Sequence, residues 1–205
     1  CVCADRSSIG AALTEMQAAG IENILALRGD IPKDFDGEVF TDFTHASDLV
    51  RFIKENGDFC VGGACYPEMH PDSANKNAEI QGLKEKVDAG CEYLTTQMFF
   101  DNSKYFDFVE RCRKAGITVP IIPGIKPIST PKHLEILPRT FSVSLPEELV
   151  KAVRACGEDT QAAREVGIEW AIHQAKELKA AEVPIIHFYT MGRTDNIRKI
   201  ARNVF

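Results

Sequence analysis

Asp30, Tyr66, His70, Gln97 and Arg193 each stand at or just past the end of a short apolar run. There a strand of an α/β fold hands over to its loop, and such folds place their chemistry at those ends. Asp30 follows Arg28 and Gly29. Glycine lets a flat ligand approach the backbone, and a carboxylate held beside it would stabilise positive charge developing on a substrate. The alternative is a strand-end aspartate that caps the next turn or pairs with Arg28. In Tyr66-Pro67-Glu68-Met69-His70-Pro71, two prolines stiffen a loop whose rings suit stacking or hydrogen bonding to a heterocycle. A tight turn packed on itself is the other reading. Gln97 is an amide in an apolar strand, where burial without a partner costs roughly 1–3 kcal/mol. It offers both a donor and an acceptor to a heterocycle's edge, or it is a satisfied core amide. Lys86 can reach a phosphate from the helix after the Tyr66 loop, or be simply solvated. Arg193 precedes a helix start and is a natural bidentate partner for a carboxylate. His133 is open; His173 reads as helix surface or core, and His187 as structural.

These residues need positioning elements, and the sequence repeats one phrase: a helical stretch, a small-residue stop, then a buried strand. The junctions are AAG-IENILALRGD, ENG-DFCVGGACYP, DAG-CEYLTTQMFFD, KAG-ITVPIIPGI and KAAE-VPIIHFYTMGR. Short, continuous apolar runs predict strands covered on both faces of a parallel sheet, and the alternation predicts right-handed βαβ units. Strands are expected at Ile24–Leu27 and Phe59–Cys65. Ser7 or Ser8 is expected to cap a first helix stopped by Gly20, and Ser47 a second ending at Gly57. Further helices are expected near Ala78–Ala89 and Tyr105–Ala115. Pro131 fits a first helical turn that Pro138 should end. A helical region spans Pro146–Ala181, broken near Gly157, with Trp170 and Ile172 as core, and Thr194 caps a last helix, Asp195–Val204. Residues 31–46 form a long acidic loop beside a strand end. An open doubly wound sheet and a (β/α)₈ barrel both accommodate this rhythm. The dinucleotide fingerprint G-x-G-x-x-G is absent, and polar residues end nearly every strand, which favours the α/β (β/α)₈ TIM barrel.

Bulk properties narrow the function. The chain has 205 residues, a single domain's worth, with 44% hydrophobic and 26% charged residues, ordinary for a soluble globular protein. A net charge of -6 argues against a nucleic-acid surface. No apolar run approaches bilayer length, so a soluble, cytoplasmic protein is the default. The seven cysteines are scattered, without C-x-x-C or Cys/His metal spacing. They read as small hydrophobes in a reducing compartment, and no metal is expected. No Ser-His-Asp arrangement, P-loop or paired-carboxylate motif stands out.

LALRGD (25–30), YPEMHP (66–71), LKEKVDAG (83–90), TTQMFFD (95–101), PIIPGIKPI (120–128) and HFYTMGR (187–193), in this order, resemble the 5,10-methylenetetrahydrofolate reductase family. The resemblance implies a flavin-dependent (β/α)₈ barrel that reduces methylenetetrahydrofolate to 5-methyltetrahydrofolate with NADH or NADPH, feeding methionine synthesis. It further implies small-molecule substrates, no nucleic acid or membrane partner, and a homo-oligomer. By resemblance, Arg28, Gly29 and Asp30 line the FAD, with Asp30 also facing the folate ring and acting in catalysis. His45 and Ala46 match a flavin-contacting segment, His45 standing where a tyrosine is common. Ala64, Tyr66 and His70 match further FAD contacts, Glu79 stands where an aspartate is frequent, and Lys86 matches a residue near the phosphates or ribityl chain. Gln97 and Arg193 match folate-binding positions, and His133 falls where members vary, with glutamine frequent. The family's first strands, with an early proton-donor Glu, have no counterpart here. The expectation is a single catalytic barrel domain over residues 1–205, lacking roughly its first three strands. Because a closed barrel needs all of its strands, either a segment precedes Cys1 or the chain is a non-catalytic remnant. A proline-dehydrogenase-like flavin barrel is the alternative enzyme.

Overall fold

The computed structural model describes residues 2–31, 36, 38–192 and 194–205. Among them the elements alternate as read from the sequence: α1 (Arg6–Ala18), β1 (Asn23–Ala26), α2 (Ala46–Glu55), β2 (Cys60–Cys65), α3 (Lys76–Asp88), β3 (Tyr93–Thr96), α4 (Asn102–Lys114), β4 (Ile121–Ile122), β5 (Gly124–Ile125), α5 (His133–Phe141), α6 (Glu147–Ala155), α7 (Thr160–Ala180), β6 (His187–Phe188) and α8 (Asp195–Val204). No described helix is long and apolar enough to cross a membrane. The chain resolves into two compact units. One comprises Cys1–Cys65, Lys76–Thr95 and Cys112–Ile121, the other Tyr66–Asn75, Thr96–Arg111 and Ile122–Phe205.

In the first unit, strand pairing follows the order β1-β2-β3-β4. β1 and β2 run parallel with Asn23 opposite Cys60 and Ala26 opposite Gly63. Phe43, Val50, Phe59, Val61 and Leu94 form the core, each at most 2% exposed. β1 departs from the expected coverage on both faces, since Leu25 and Leu27 are each 45% exposed. Among the described residues it lies at the end of the strand order, next to β2. The caps also move from the expected serines. Asp5 caps α1, its Oδ1 accepting from the Ser8 amide at 2.7 Å while Ser8 Oγ accepts from the Asp5 amide, a reciprocal capping box. At α2 the Asp48 carboxylate accepts from the amides of Thr44 and His45, so the cap lies at His45 rather than Ser47.

In the second unit β5 and β6 pair in parallel, Gly124 opposite His187 and Ile125 opposite Phe188. The fourth expected strand is divided because Pro123, which has no N–H to donate, separates β4 from β5; its carbonyl accepts from the His187 amide at 2.9 Å. Met98, Phe100, Ile128, Leu137, Leu149 and Val153 build one apolar cluster. Pro138 does not end α5 but lies within it, and the helix stops at Phe141 with Ser142 in a left-handed conformation, φ 54°. Burial of Leu137 in the cluster compensates the helical hydrogen bond that Pro138 cannot make. Trp170 and Ile172, expected as core, are half-buried; the Trp170 indole donates to the Phe100 carbonyl at 2.9 Å. Thr194 occupies the expected cap of α8 without a side-chain cap bond.

Candidate functional site

The first unit carries one set of expected site residues. Arg28, Gly29 and Asp30 follow β1, and the Arg28 carbonyl accepts from the Val2 amide at 2.7 Å. Gly29 has φ 87°, a conformation glycine adopts without steric cost, and it presents the exposed Asp30 beyond the strand end. His45 and Ala46 open α2, with the His45 side chain exposed. Ala64 lies in β2, and its carbonyl accepts from Lys86 Nζ at 2.7 Å. Lys86 rises from the last turn of α3 and is partly buried. No described carboxylate stands within ion-pair distance of it, although Glu79, half-buried in the first turn of α3, acts on it electrostatically. Burial holds the ammonium below the ordinary lysine range. The same burial pushes the Cys65 thiol well up and the Cys91 thiol to about 11, so both remain protonated, apolar neighbours. An ammonium has three donors. Lys86 commits one to Ala64, and a shielded cation without an adjacent counter-ion fits a phosphate or polyol acceptor.

The second unit carries the other set. The rings of Tyr66 and His70 meet edge to face, centroids 4.6 Å apart at 89°. His70 Nδ1 accepts from the Asp72 amide at 3.1 Å, which places the proton of the neutral ring on Nε2. Gln97 Oε1 accepts from the Met98 amide at 2.9 Å; its acceptor is thus satisfied locally and its NH₂ is the group left to donate. Tyr66 and Gln97 line one narrow cleft, too tight to admit a water molecule, together with Glu68, Met69, Phe141 and Ser142. Two of these, Met69 at φ 86° and Ser142 at φ 54°, hold left-handed backbone without being glycine, a strain of about 1–3 kcal/mol each that surrounding contacts must sustain. Glu68 supplies such contacts, its two carboxylate oxygens accepting from the Ser144 amide at 3.1 and 3.2 Å and from the Ser144 hydroxyl. Sequence reading passed over Glu68, Ser142 and Ser144; the only hint was a charged residue between stiffening prolines. Arg193 lies outside the described residues.

His133 opens α5 half-buried, and its Nδ1 accepts from the Ser129 amide at 3.3 Å. Burial, and secondly the positive charge of Lys126, lower its pKa below 6.5. Below pH 6.5 the unfolded chain therefore takes up this proton before the folded one does. The stabilisation is complete above pH 6.5 and is lost as pH falls toward the folded value. His133→Gln should flatten that part of the stability profile, read from urea unfolding between pH 7.5 and 5. His187, lowered by burial, should supply a separate slope that survives the substitution. An unchanged profile in His133→Gln would remove His133 from this account.

The family model described as Methylenetetrahydrofolate reductase matches residues 1–204. This chain belongs to the methylenetetrahydrofolate reductase family. It is 37% identical over 195 residues to Methylenetetrahydrofolate reductase 1 of Schizosaccharomyces pombe, covering 94% of this chain and 32% of that protein. To the 5,10-methylenetetrahydrofolate reductase of Escherichia coli K12 it is 38% identical over 176 residues, 86% of this chain and 58% of that one. To the Pectobacterium carotovorum enzyme it is 35% identical, covering 95% and 64%. The chain thus spans about a third to just under two thirds of these reductases. A solved Clostridium thermocellum protein, described as binding two copies of 5-methyl-5,6,7,8-tetrahydrofolic acid, superposes with a TM-score of 0.55 at 21% identity, over 77% of this chain and 57% of that one. At that identity the likeness bears on fold alone. The (β/α)₈ barrel is the fold class of the reductase family, and the parallel pairing of β1 with β2 and of β5 with β6 agrees with it.

Proposed function

We propose that this chain is part of a methylenetetrahydrofolate reductase that holds FAD and reduces 5,10-methylenetetrahydrofolate to 5-methyltetrahydrofolate at the expense of NADH or NADPH. The observation that carries the reading is the match of the reductase family model to residues 1–204.

Each unit, taken by itself, offers donors of the kind a flavin dinucleotide takes. Lys86 offers a shielded ammonium with no carboxylate at ion-pair distance among the described residues, and Tyr66 and His70 offer a rigid ring pair with an N–H on Nε2. When bound, FAD supplies the hydride chemistry that amino-acid side chains lack. The chain's own residues bind and orient. Lys86 grips a phosphate or ribityl oxygen, and Arg28, Gly29, His45, Ala46, Ala64 and Glu79 are further flavin contacts. The Gln97 NH₂ donates to the pterin edge, with His133 at the same substrate. Arg193 pairs with a folate carboxylate. Opening the methylene bridge leaves a cationic iminium carbon on the folate, and the Asp30 carboxylate stabilises that charge. Such an enzyme feeds methionine synthesis.

The full protein, purified, should carry flavin absorbance and convert methylenetetrahydrofolate in the presence of NADH or NADPH. Protein that takes up no FAD, or that oxidises proline and leaves the folate untouched, would overturn the reading. Lys86→Met should weaken FAD binding roughly 10–100-fold, the weight of one hydrogen bond to a charged group. Flavin fluorescence titration measures it, and an unchanged Kd would exclude Lys86 from the flavin site.

A further inference from the structure

Tyr66, Met69 and His70 belong to a loop whose conformation is costly to keep. Met69 is left-handed, and several of the bonds that hold the loop are internal. The Met69 amide donates to the Tyr66 carbonyl, the Ser73 amide to the His70 carbonyl, and the Asp72 amide to the His70 ring. Internal bonds fix a loop's shape but not where it points. Arg111 and Ser144 are among the distant residues that it is tied to. Arg111 Nη2 donates to the Pro67 carbonyl at a long 3.4 Å. The Glu68 carboxylate takes the amide and hydroxyl of Ser144, 76 positions later. Ser144 lies two residues beyond left-handed Ser142, so the grip joins the two strained walls of the cleft that Gln97 also lines. Ser144 is exposed and Glu68 half-buried. A polar grip so placed contributes little to the apolar core and much to the local geometry.

We propose that Glu68 is a positioning residue: by holding Ser144 it fixes the Tyr66–Pro71 loop in the orientation in which Tyr66 and His70 meet their ligand. The inference rests on the flavin–folate reading for what that ligand is. It separates two roles within one motif, the rings that touch and the carboxylate that aims them. Because charge-assisted bonds to a backbone amide carry most of the grip, the variants should form a graded series. Glu68→Ala loses all three bonds. Glu68→Gln keeps an oxygen for the Ser144 amide. Ser144→Ala loses only the hydroxyl bond.

The test is made on the full protein with FAD. Glu68→Ala should raise the FAD Kd or the folate KM about tenfold, the scale of one lost charge-assisted bond, while kcat and the melting temperature change much less. Amide exchange across residues 66–73 should quicken in parallel. Glu68→Gln should recover part of the loss, and Ser144→Ala should stay within about threefold of wild type. Wild-type affinity and exchange in Glu68→Ala would overturn the proposal. So would a Gln variant as defective as the Ala variant, with both melting early, for that is a fold contact. If Glu68→Ala cannot be purified, the order of Glu68→Gln and Ser144→Ala decides by the same criteria. Wild-type protein that binds no FAD instead refutes the flavin reading, and the amide exchange of residues 66–73 still judges the grip.

Discussion

Asp30→Asn in the full protein should slow reduction of methylenetetrahydrofolate by about 10²–10³-fold, the usual cost of removing one preorganised electrostatic partner of a transition state. Oxidation of NADH or NADPH by the bound flavin should change only a few-fold. The asymmetry follows from where charge develops. Nicotinamide oxidation creates no iminium on a folate, whereas opening the methylene bridge does, and a carboxylate meets that cation in a way an isosteric amide does not. Asp30 is free to play this part because Gly29, at φ 87°, turns the chain at the end of β1 and leaves Asp30 exposed. Stopped-flow spectroscopy separates the half-reactions: flavin bleaching by the nicotinamide, then recolouring by the folate. Equal slowing of both would mean that Asp30 acts on the flavin or on loop structure, and the proposed role would fall.

The parts of this molecule that were legible in its sequence are those that local chemistry dictates. Small-residue stops followed by apolar runs placed β1 and β2 within a residue or two of where they lie. Phe99 and Phe100, which close one such run, are at most 1% exposed. The misses mark the places where a distant contact decides. α4 begins at Asn102 rather than Tyr105, because Asn102 is buried against α7: its amide donates to the Gln174 carbonyl and Glu177, and Gln174 returns a bond to its oxygen. Nothing within ten residues of Asn102 announces that partner. Pro138 reads locally as a stop, yet Leu137 anchors α5 in the apolar cluster and the helix runs on. The candidate site divides in the same way. Single residues at strand ends could be named from their types, but the Ala64–Lys86 and Glu68–Ser144 pairings join residues 22 and 76 positions apart. Charge patterning has no signature at such spacing.

Gly167→Ala supplies the sharpest test of the packing behind the second unit. On helix propensity alone the change should stabilise α7, since glycine costs about 1 kcal/mol relative to alanine in a helix interior. Packing reverses the sign. A Cβ built on Gly167 stands 2.7 Å from the Ile128 carbonyl carbon and 2.8 Å from its Cα, and closer still to the carbonyl oxygen. All three atoms are backbone, so no side-chain rotation relieves the clash. Either α7 or the segment after β5 must move by about an ångström, through a cluster in which Ile128 is 1% exposed and Ala163 fully buried. Overpacking of this kind costs typically 1–3 kcal/mol and sometimes more, which exceeds the propensity gain. The expected outcome is a melting temperature several degrees lower, at roughly 2–4 °C per kcal/mol for a chain of this size. A second readout separates displacement from simple loss of stability. Ile128 directly precedes Ser129, whose amide bonds His133, so moving it should loosen that imidazole and bring its pKa back toward the ordinary value, visible by NMR titration. A Gly167→Ala protein that melts at or above the wild-type temperature would show that α7 does not approach Ile128 this closely.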